Sequence, residues 1–166
     1  MSAPILNIRD AEAARELKHG ERFEAKVAPI GAKLGSKKLG YNLTTVAPGK
    51  RAFPFHNHHA NEEMFLVIEG AGTLRYGKAK YPLREGDVIA CPPGGPDTAH
   101  QIVNTGATAL KFLAVSTMID TDIWQYPDSG KWGGVGGRPP NARPGEATFS
   151  ARYVADGAEI DYWKGE

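Results

Sequence analysis

Short β-prone segments separated by turn-forming residues constrain this chain more than any other feature of its sequence. Alternating apolar residues begin at Phe23, and further strand candidates follow at residues 41–46, 63–68, 72–76, 87–90, 100–103 and 110–116. Turn signals separate these segments, among them Glu69-Gly70, Glu85-Gly86, the run Pro92-Pro93-Gly94-Gly95-Pro96 and Asn104-Thr105-Gly106. Several short strands at this spacing, with little helix between them, predict an all-β antiparallel sandwich or barrel.

The two flanking regions of the chain have different predicted structures. Residues 11–19 (AEAARELKH) follow a candidate N-cap, Asp10, and precede Gly20, so a short N-terminal helix is predicted there. Beyond about residue 120 the regular succession of β-prone segments ends. Turn-forming residues dominate residues 126–145, which predicts a long loop. The aromatic residues near the end are expected to dock on the domain or on a partner subunit; they are Tyr153, Tyr162 and Trp163.

Length and composition indicate one globular domain, residues 1–166. The net charge is +1 and no run of Lys or Arg resembles the basic patch of a nucleic-acid binder, so no nucleic-acid partner is expected. The longest apolar run, Met64 to Ile68, is far shorter than the roughly 20 residues that a membrane-spanning helix needs. No secretory signal is apparent, and Cys91 alone cannot form an internal disulfide, so a cytoplasmic location is expected.

A cluster of histidines is the strongest indication of a functional site. Alternate residues of a strand share a face, so His56 and His58 can aim at one point while Asn57 faces away. Glu63 lies five residues after His58, and on a straight strand that offset would place it on the opposite face. The chain is therefore expected to bend near residues 59–61.

Two imidazoles and a carboxylate are a ligand set suited to one divalent ion of Zn, Mn, Fe, Ni or Cu. A third imidazole from a later strand would enclose the ion further, and His100 is the natural candidate. A metal held by these groups can keep positions open for water, dioxygen or an oxygen-rich ligand, as catalytic sites do. His19, at the end of the predicted helix, is given no role.

The spacing around these residues resembles the two motifs of the cupin family. Residues 49–70, GKRAFPFHNHHANEEMFLVIEG, contain a glycine, a His-x-His pair, four residues, a glutamate, six residues and a glycine. One gap departs from the pattern, with six residues rather than five between Gly49 and His56. The second cupin motif is resembled by Gly86, Pro92-Pro93-Gly94, His100 and Asn104. Five residues separate Gly94 from His100, where the family usually has two.

This resemblance implies a double-stranded β-helix, or jelly-roll, with its barrel core at about residues 40–118 and a loop-rich C-terminal extension at 119–166. It implies one divalent metal ion on four ligands: His56, His58, Glu63 and His100. It also implies a small-molecule ligand and a homodimer. Residues 126–131 and 161–166 are further similar to small bacterial cupins described as sugar-phosphate-isomerase-like.

Several residues have competing interpretations. Glu62 competes with Glu63 for the carboxylate role, and His59 is expected to face solvent rather than the metal. Cys91 is expected to be a small buried hydrophobic residue without chemistry. Five basic residues could lie at the mouth of the barrel and bind a phosphate or carboxylate group: Arg51, Arg75, Lys78, Lys80 and Arg84. Tyr41 and Tyr76 could donate protons if they face the barrel interior.

Three functions are compatible with this sequence. The leading hypothesis is a metal-dependent enzyme acting on a small oxygen-rich metabolite such as a sugar or sugar phosphate, with an isomerase-like reaction. The alternatives are an iron-dependent dioxygenase and a noncatalytic metabolite-binding protein. No residue is assigned as the general acid or base.

Overall fold

The computed structural model describes residues 4–137, 149–155 and 157. One α-helix, α1, lies at Ile30–Leu34, and 3-10 turns lie at Ile8–Asp10 and Pro96–Thr98. The strands are β1 (Arg15–His19), β2 (Phe23–Pro29), β3 (Leu39–Val46), β4 (Asn57–His58), β5 (Glu63–Glu69), β6 (Ala71–Tyr76), β7 (Ala79–Arg84), β8 (Val88–Cys91), β9 (His100–Val103), β10 (Leu110–Thr117), β11 (Asp122–Tyr126), β12 (Lys131–Gly136) and β13 (Phe149–Ala155).

These strands form three antiparallel sheets. A six-stranded sheet has the order β1-β2-β3-β10-β5-β8, and a three-stranded sheet has the order β7-β6-β9. A four-stranded sheet, β13-β12-β11-β4, joins the extension to the barrel. The all-β antiparallel prediction is therefore confirmed.

The main core lies between the inward faces of the six- and three-stranded sheets. Strand alternation explains which residues enter it, since Phe65 and Val67 of β5 and Leu110 and Phe112 of β10 are buried at alternate positions. A second cluster, Ala28, Ile30 and Leu43, brings α1 against the outer side.

Two turns show why particular residues are required at the ends of strands. Gly70, between β5 and β6, has φ +88°, and a Cβ there would lie 2.5 Å from the Ala109 carbonyl oxygen. Asn104, after β9, is completely buried; its Nδ2 donates to the Val46 and Thr108 carbonyls, and its Oδ1 accepts from the Gly106 amide. The turn predicted at Asn104-Thr105-Gly106 is therefore present.

The helix predicted at residues 11–19 is wrong. Residues 15–19 form β1, which pairs with β2 through a hairpin at Gly20, where φ is +51°. Helix propensity is a weak preference, and here Leu17 gains burial against the main core while cross-strand pairs such as Lys26–Glu16 stabilise the ladder. The short helix of this fold lies instead at Ile30–Leu34 and ends at Gly35, which is left-handed with φ +74°.

The long loop predicted at residues 126–145 is also wrong over its first part. Strands β11 and β12 form a hairpin that brackets residues 127–130. Packing requires a glycine at position 133 of β12, because a Cβ there would lie 2.6 Å from the Trp124 indole on β11. Residues 138–145 lie outside the described residues, as do the side chain of Tyr153 and residues Tyr162 and Trp163.

A membrane-spanning helix is not found in the described part of the chain, because its helices are too short and insufficiently apolar.

The core makes a direct stability prediction. Phe112→Ala should lower the free energy of unfolding by about 3–5 kcal/mol, because Phe112 is 1% exposed and its loss leaves a cavity. Val88→Ala on β8, 67% exposed, is the matched control and should change it by no more than about 0.5 kcal/mol. Urea denaturation measures both, and equal effects would contradict the assigned core.

Candidate metal centre

Two later strands position the His-x-His pair, β9 at His56 and β11 at His58. His56 pairs with His100 through two backbone hydrogen bonds, N–H of His56 to O of His100 at 3.2 Å and the reverse at 2.8 Å. His58 lies in the two-residue strand β4, which pairs with β11. Asn57 is completely buried and faces away, donating from Nδ2 to the Gly94 carbonyl at 2.8 Å. The predicted alternation of the pair is therefore present.

The bend expected near residues 59–61 is held by one buried amide. Asn61 accepts at Oδ1 from the Thr117 hydroxyl at 3.0 Å and the Ile119 amide at 2.8 Å. Its Nδ2 donates to Asp122 at 2.8 Å. This bend allows β5 to start at Glu63 with the carboxylate on the side of the imidazoles.

The Glu63 carboxylate is the point on which the imidazoles converge. Its Oε2 lies 2.9 Å from Nε2 of His100 and 3.6 Å from Nε2 of both His56 and His58. His56, His58 and Glu63 place one donor atom each within 4.8 Å of one another, and this group could hold a metal ion. His100 is adjacent to the group through its contact with Glu63.

The other ring nitrogen of each histidine faces a hydrogen-bond acceptor. Nδ1 of His56 lies 2.9 Å from the Pro54 carbonyl, and Nδ1 of His100 lies 3.3 Å from the Thr98 carbonyl. Nδ1 of His58 lies 2.6 Å from Oδ2 of Asp122. An Nδ1 that donates to such acceptors directs Nε2 toward the centre, where it donates to Glu63 when it is protonated and can bind a metal ion when it is not.

Asp122 was missed by the sequence reasoning. It lies on β11 and is 2% exposed, and besides His58 and Asn61 it accepts from the Ala60 amide at 3.0 Å. Burial alone would raise the pKa of Asp122, but the hydrogen bonds from His58 and Asn61 outweigh burial and lower it to about 2. No local spacing could have indicated this residue, because it is 64 positions from His58.

The charges of the centre are mutually stabilising. Burial acts to raise the pKa of Glu63, but hydrogen bonds with His100 and His56 and the neighbouring imidazoles hold it well below its usual range. Burial acts to lower the pKa of His58, yet the hydrogen bond to Asp122 and the charge of Glu63 leave it raised. The side chains of His56, His58 and Glu63 are 16%, 20% and 17% exposed, so the centre is not sealed within the core.

Glu62 and His59, which were considered for the metal centre, lie outside the group of donor atoms. Glu62 is exposed, and its backbone amide donates to the Thr117 hydroxyl at 2.9 Å. His59 is exposed, and its Nε2 lies 3.0 Å from Oε1 of Gln125. Neither belongs to the group of donor atoms formed with Glu63.

The basic residues considered as anion-binding groups mostly contact other side chains or lie exposed on a hairpin. Arg75 makes two hydrogen bonds to Asp128, at 2.8 and 2.9 Å, and lies 4.2 Å over the Phe55 ring. Arg51 lies within 3.5 Å of Gln101, and Arg84 is 3.9 Å from Asp87. Lys78 and Lys80 are exposed on the hairpin between β6 and β7.

The remaining candidates are packing residues. Cys91 is 2% exposed in the main core, and burial and the charge of Glu63 raise its pKa to about 12. Tyr76 packs against the same core, and burial raises its pKa. Tyr41 packs against the second cluster.

With this geometry established, comparison with known proteins defines the class. The family model described as "Cupin domain" matches residues 42–116. A sugar-phosphate-isomerase-like protein from Acidithiobacillus ferrooxidans is similar in structure, with a TM-score of 0.72 and 26% identity over 84% of this chain and 88% of that one. A sugar phosphate isomerase from Silicibacter pomeroyi shares the fold, with a TM-score of 0.74 and 24% identity over 96% and 98%.

Residues 42–116 therefore match a cupin domain, and the predicted jelly-roll fold is confirmed. Among curated proteins, auxin-binding protein 1 of Arabidopsis thaliana is 31% identical over 57% of this chain. The chain covers 50% of the length of that plant protein.

Glu63 and Glu62 form a natural pair of test and control. Glu63→Gln should weaken metal binding by at least about tenfold, because it removes the charged donor at the centre, whereas Glu62→Gln should leave it unchanged. Titration with Zn²⁺ and Mn²⁺ followed by calorimetry measures the affinity. Equal losses in the two variants would contradict the assigned carboxylate.

Asp122→Asn should lower metal affinity by roughly 10–100-fold, because an amide cannot reproduce the charge that holds His58 in position. The control is Asp87→Asn in the turn between β7 and β8, where the Asp87 carboxylate accepts from the Arg84 amide. Metal content by mass spectrometry and affinity by competition with a chelator give the readout, and an Asp122 variant with unchanged affinity would contradict this role.

Proposed function

We propose that this cupin is a metal-dependent enzyme acting on a small oxygen-rich metabolite, a sugar or sugar phosphate, in an isomerase-like reaction. The convergence of three Nε2 atoms on the Glu63 carboxylate, among partly exposed side chains, carries this proposal. The donor set suits a divalent ion of Zn, Mn, Fe, Ni or Cu.

Four side chains would hold the ion: His56, His58, Glu63 and His100. Such an ion would supply Lewis-acid chemistry, which makes a C–H bond beside a substrate carbonyl more acidic. The protein keeps the donors oriented through the acceptors at each Nδ1, and for His58 that acceptor is the buried carboxylate of Asp122. An isomerase additionally requires a general base within hydrogen-bond reach of the substrate.

Similarity supports the choice of substrate class. The protein from Acidithiobacillus ferrooxidans, which matches most of both chains at 26% identity, is sugar-phosphate-isomerase-like. A homodimer and a cytoplasmic location remain part of the same proposal, on the basis of the family resemblance and the lone cysteine.

A noncatalytic metabolite-binding role is the second candidate. It is favoured by the similarity to auxin-binding protein 1, whose name describes binding rather than turnover. The same metal centre would then hold the ligand without a proton transfer. An iron-dependent dioxygenase is separated from both candidates by its need for dioxygen.

The decisive test follows proton exchange. Protein purified without chelators and loaded separately with Zn²⁺, Mn²⁺, Fe²⁺ or Ni²⁺ is incubated in D₂O with a panel of aldose and ketose phosphates. We expect deuterium at the carbon beside the carbonyl, detected by NMR, and loss of this exchange in His58→Ala. Ligand binding without exchange would support the binding role, and oxygen uptake with Fe²⁺ alone would support the dioxygenase.

A further inference from the structure

The strand β1 lies at one edge of the six-stranded sheet. It pairs with β2 on one side, and no strand in the described part of the chain lies on its other side. Glu24 of β2 directs its backbone away from β1, because its N–H donates to the Arg51 carbonyl and its carbonyl accepts from the Ala47 amide. Lys18, which faces Glu24 in this ladder, therefore directs its own N–H and C=O away from β2, and Glu16 does so by alternation. The outer edge of β1 thus offers two donors and two acceptors to a further strand.

The exposed charges along this edge alternate in sign. Glu16 faces Lys26 of β2, with 3.4 Å between the carboxylate oxygen and the ammonium nitrogen, and Lys18 faces Glu24 at 3.9 Å. Solvent-exposed pairs of this kind contribute little to the stability of one chain. Charges protect an edge strand from pairing when like charges face each other. An edge with one acidic and one basic outward residue can instead be complementary to itself.

Two copies of β1 can pair antiparallel in one register that opposes no like charges along this edge. When Leu17 faces the second copy's Leu17, Glu16 faces the second copy's Lys18, and both contribute outward backbone groups. Sliding one strand by two residues in either direction places Glu16 against Glu16 or Lys18 against Lys18. A slide by one residue would turn facing side chains to opposite sides of the sheet. The charges therefore select the register centred on Leu17.

The centred register keeps the ion pairs that each chain already has. Each Lys18 ammonium would lie between Glu24 of its own chain and Glu16 of the second copy, because adjacent strands are about 4.8 Å apart. One ammonium group has three donors, so it can serve both carboxylates. The signs would then alternate across four strands, two from each copy.

The other face of β1 is compatible with the same register. It carries Arg15, Leu17 and His19. Arg15 would face His19 of the second copy, and a neutral imidazole can accept a hydrogen bond from a guanidinium. Leu17 is partly buried against the main core and would lose exposed area on meeting its copy at the two-fold axis.

We propose that β1 is the dimer interface of this protein and pairs antiparallel with β1 of a second copy about a two-fold axis at Leu17. This inference rests on the homodimer that forms part of the proposed function, and it assigns the contact surface. Main-chain hydrogen bonds would join two six-stranded sheets into one, while the charges would specify the register more than they add affinity. The assembly closes at two copies, because each β1 edge is then occupied.

Charge reversal at two positions tests this interface. Glu16→Lys makes both outward residues of the edge basic, and Lys18→Glu makes both acidic, so each variant opposes like charges in its own dimer. We expect dimeric wild type in sedimentation equilibrium, and a dissociation constant at least about tenfold higher in each variant. The exposed Lys80→Glu on β7 and Glu85→Lys in the turn before β8 are matched controls and should change it less than about twofold.

Mixing the two variants is the decisive measurement. The basic edge of Glu16→Lys matches the acidic edge of Lys18→Glu at both positions, so the mixture should form a heterodimer, identified by its mass in native mass spectrometry. Mixing could not repair local damage to β1, because each chain keeps its own substitution. Both variants should also keep the wild-type circular dichroism spectrum and metal affinity.

Three results would overturn this assignment. A wild type that is monomeric up to about 1 mM would overturn the interface and the homodimer together. Single variants that dimerise like wild type, or a mixture that forms no heterodimer, would overturn this interface and leave the homodimer standing. None of these measurements depends on turnover or metal loading, so failure of the metal-dependent reaction would be seen separately, in the proton-exchange test.

Discussion

A half-buried carboxylate surrounded by imidazoles is the interaction on which the rest of this site depends. Removing the charge of Glu63 from water is costly unless cations or donors surround it. Here, Nε2 atoms from three histidines lie 2.9–3.6 Å from its Oε2. A divalent ion would take over this balancing role, so the same geometry is stable for the protein and suitable for metal binding.

The C-terminal extension is part of the centre and not an appendage of the barrel. The cupin model ends at residue 116, yet β11 begins at Asp122 and pairs with the two-residue strand that carries His58. Asp122 also bonds the bend at Ala60 and Asn61, which directs Glu63 inward. One carboxylate outside the family match therefore positions two of the residues inside it.

Two hairpins that flank the barrel line a cavity of about 440 Å³. The β1–β2 hairpin contributes Arg15 and Leu17, and the β11–β12 hairpin contributes Tyr126 and Lys131. The barrel supplies only the wall at residues 52–54. This cavity is therefore lined largely by residues outside the match to the cupin family, with only residues 52–54 inside it.

The sequence by itself determined the central barrel and the metal donors proposed for it, because both depend on local patterns: strand alternation for His56 and His58, and turn residues such as Gly70 and Asn104. The bend before Glu63 also followed from its offset. Only the tertiary structure decided that residues 15–19 pair as a strand, that glycine-rich β12 packs under Trp124, and that Asp122 reaches His58. These outcomes depend on contacts between distant residues, which local propensity cannot encode because burial and cross-strand pairing outweigh it.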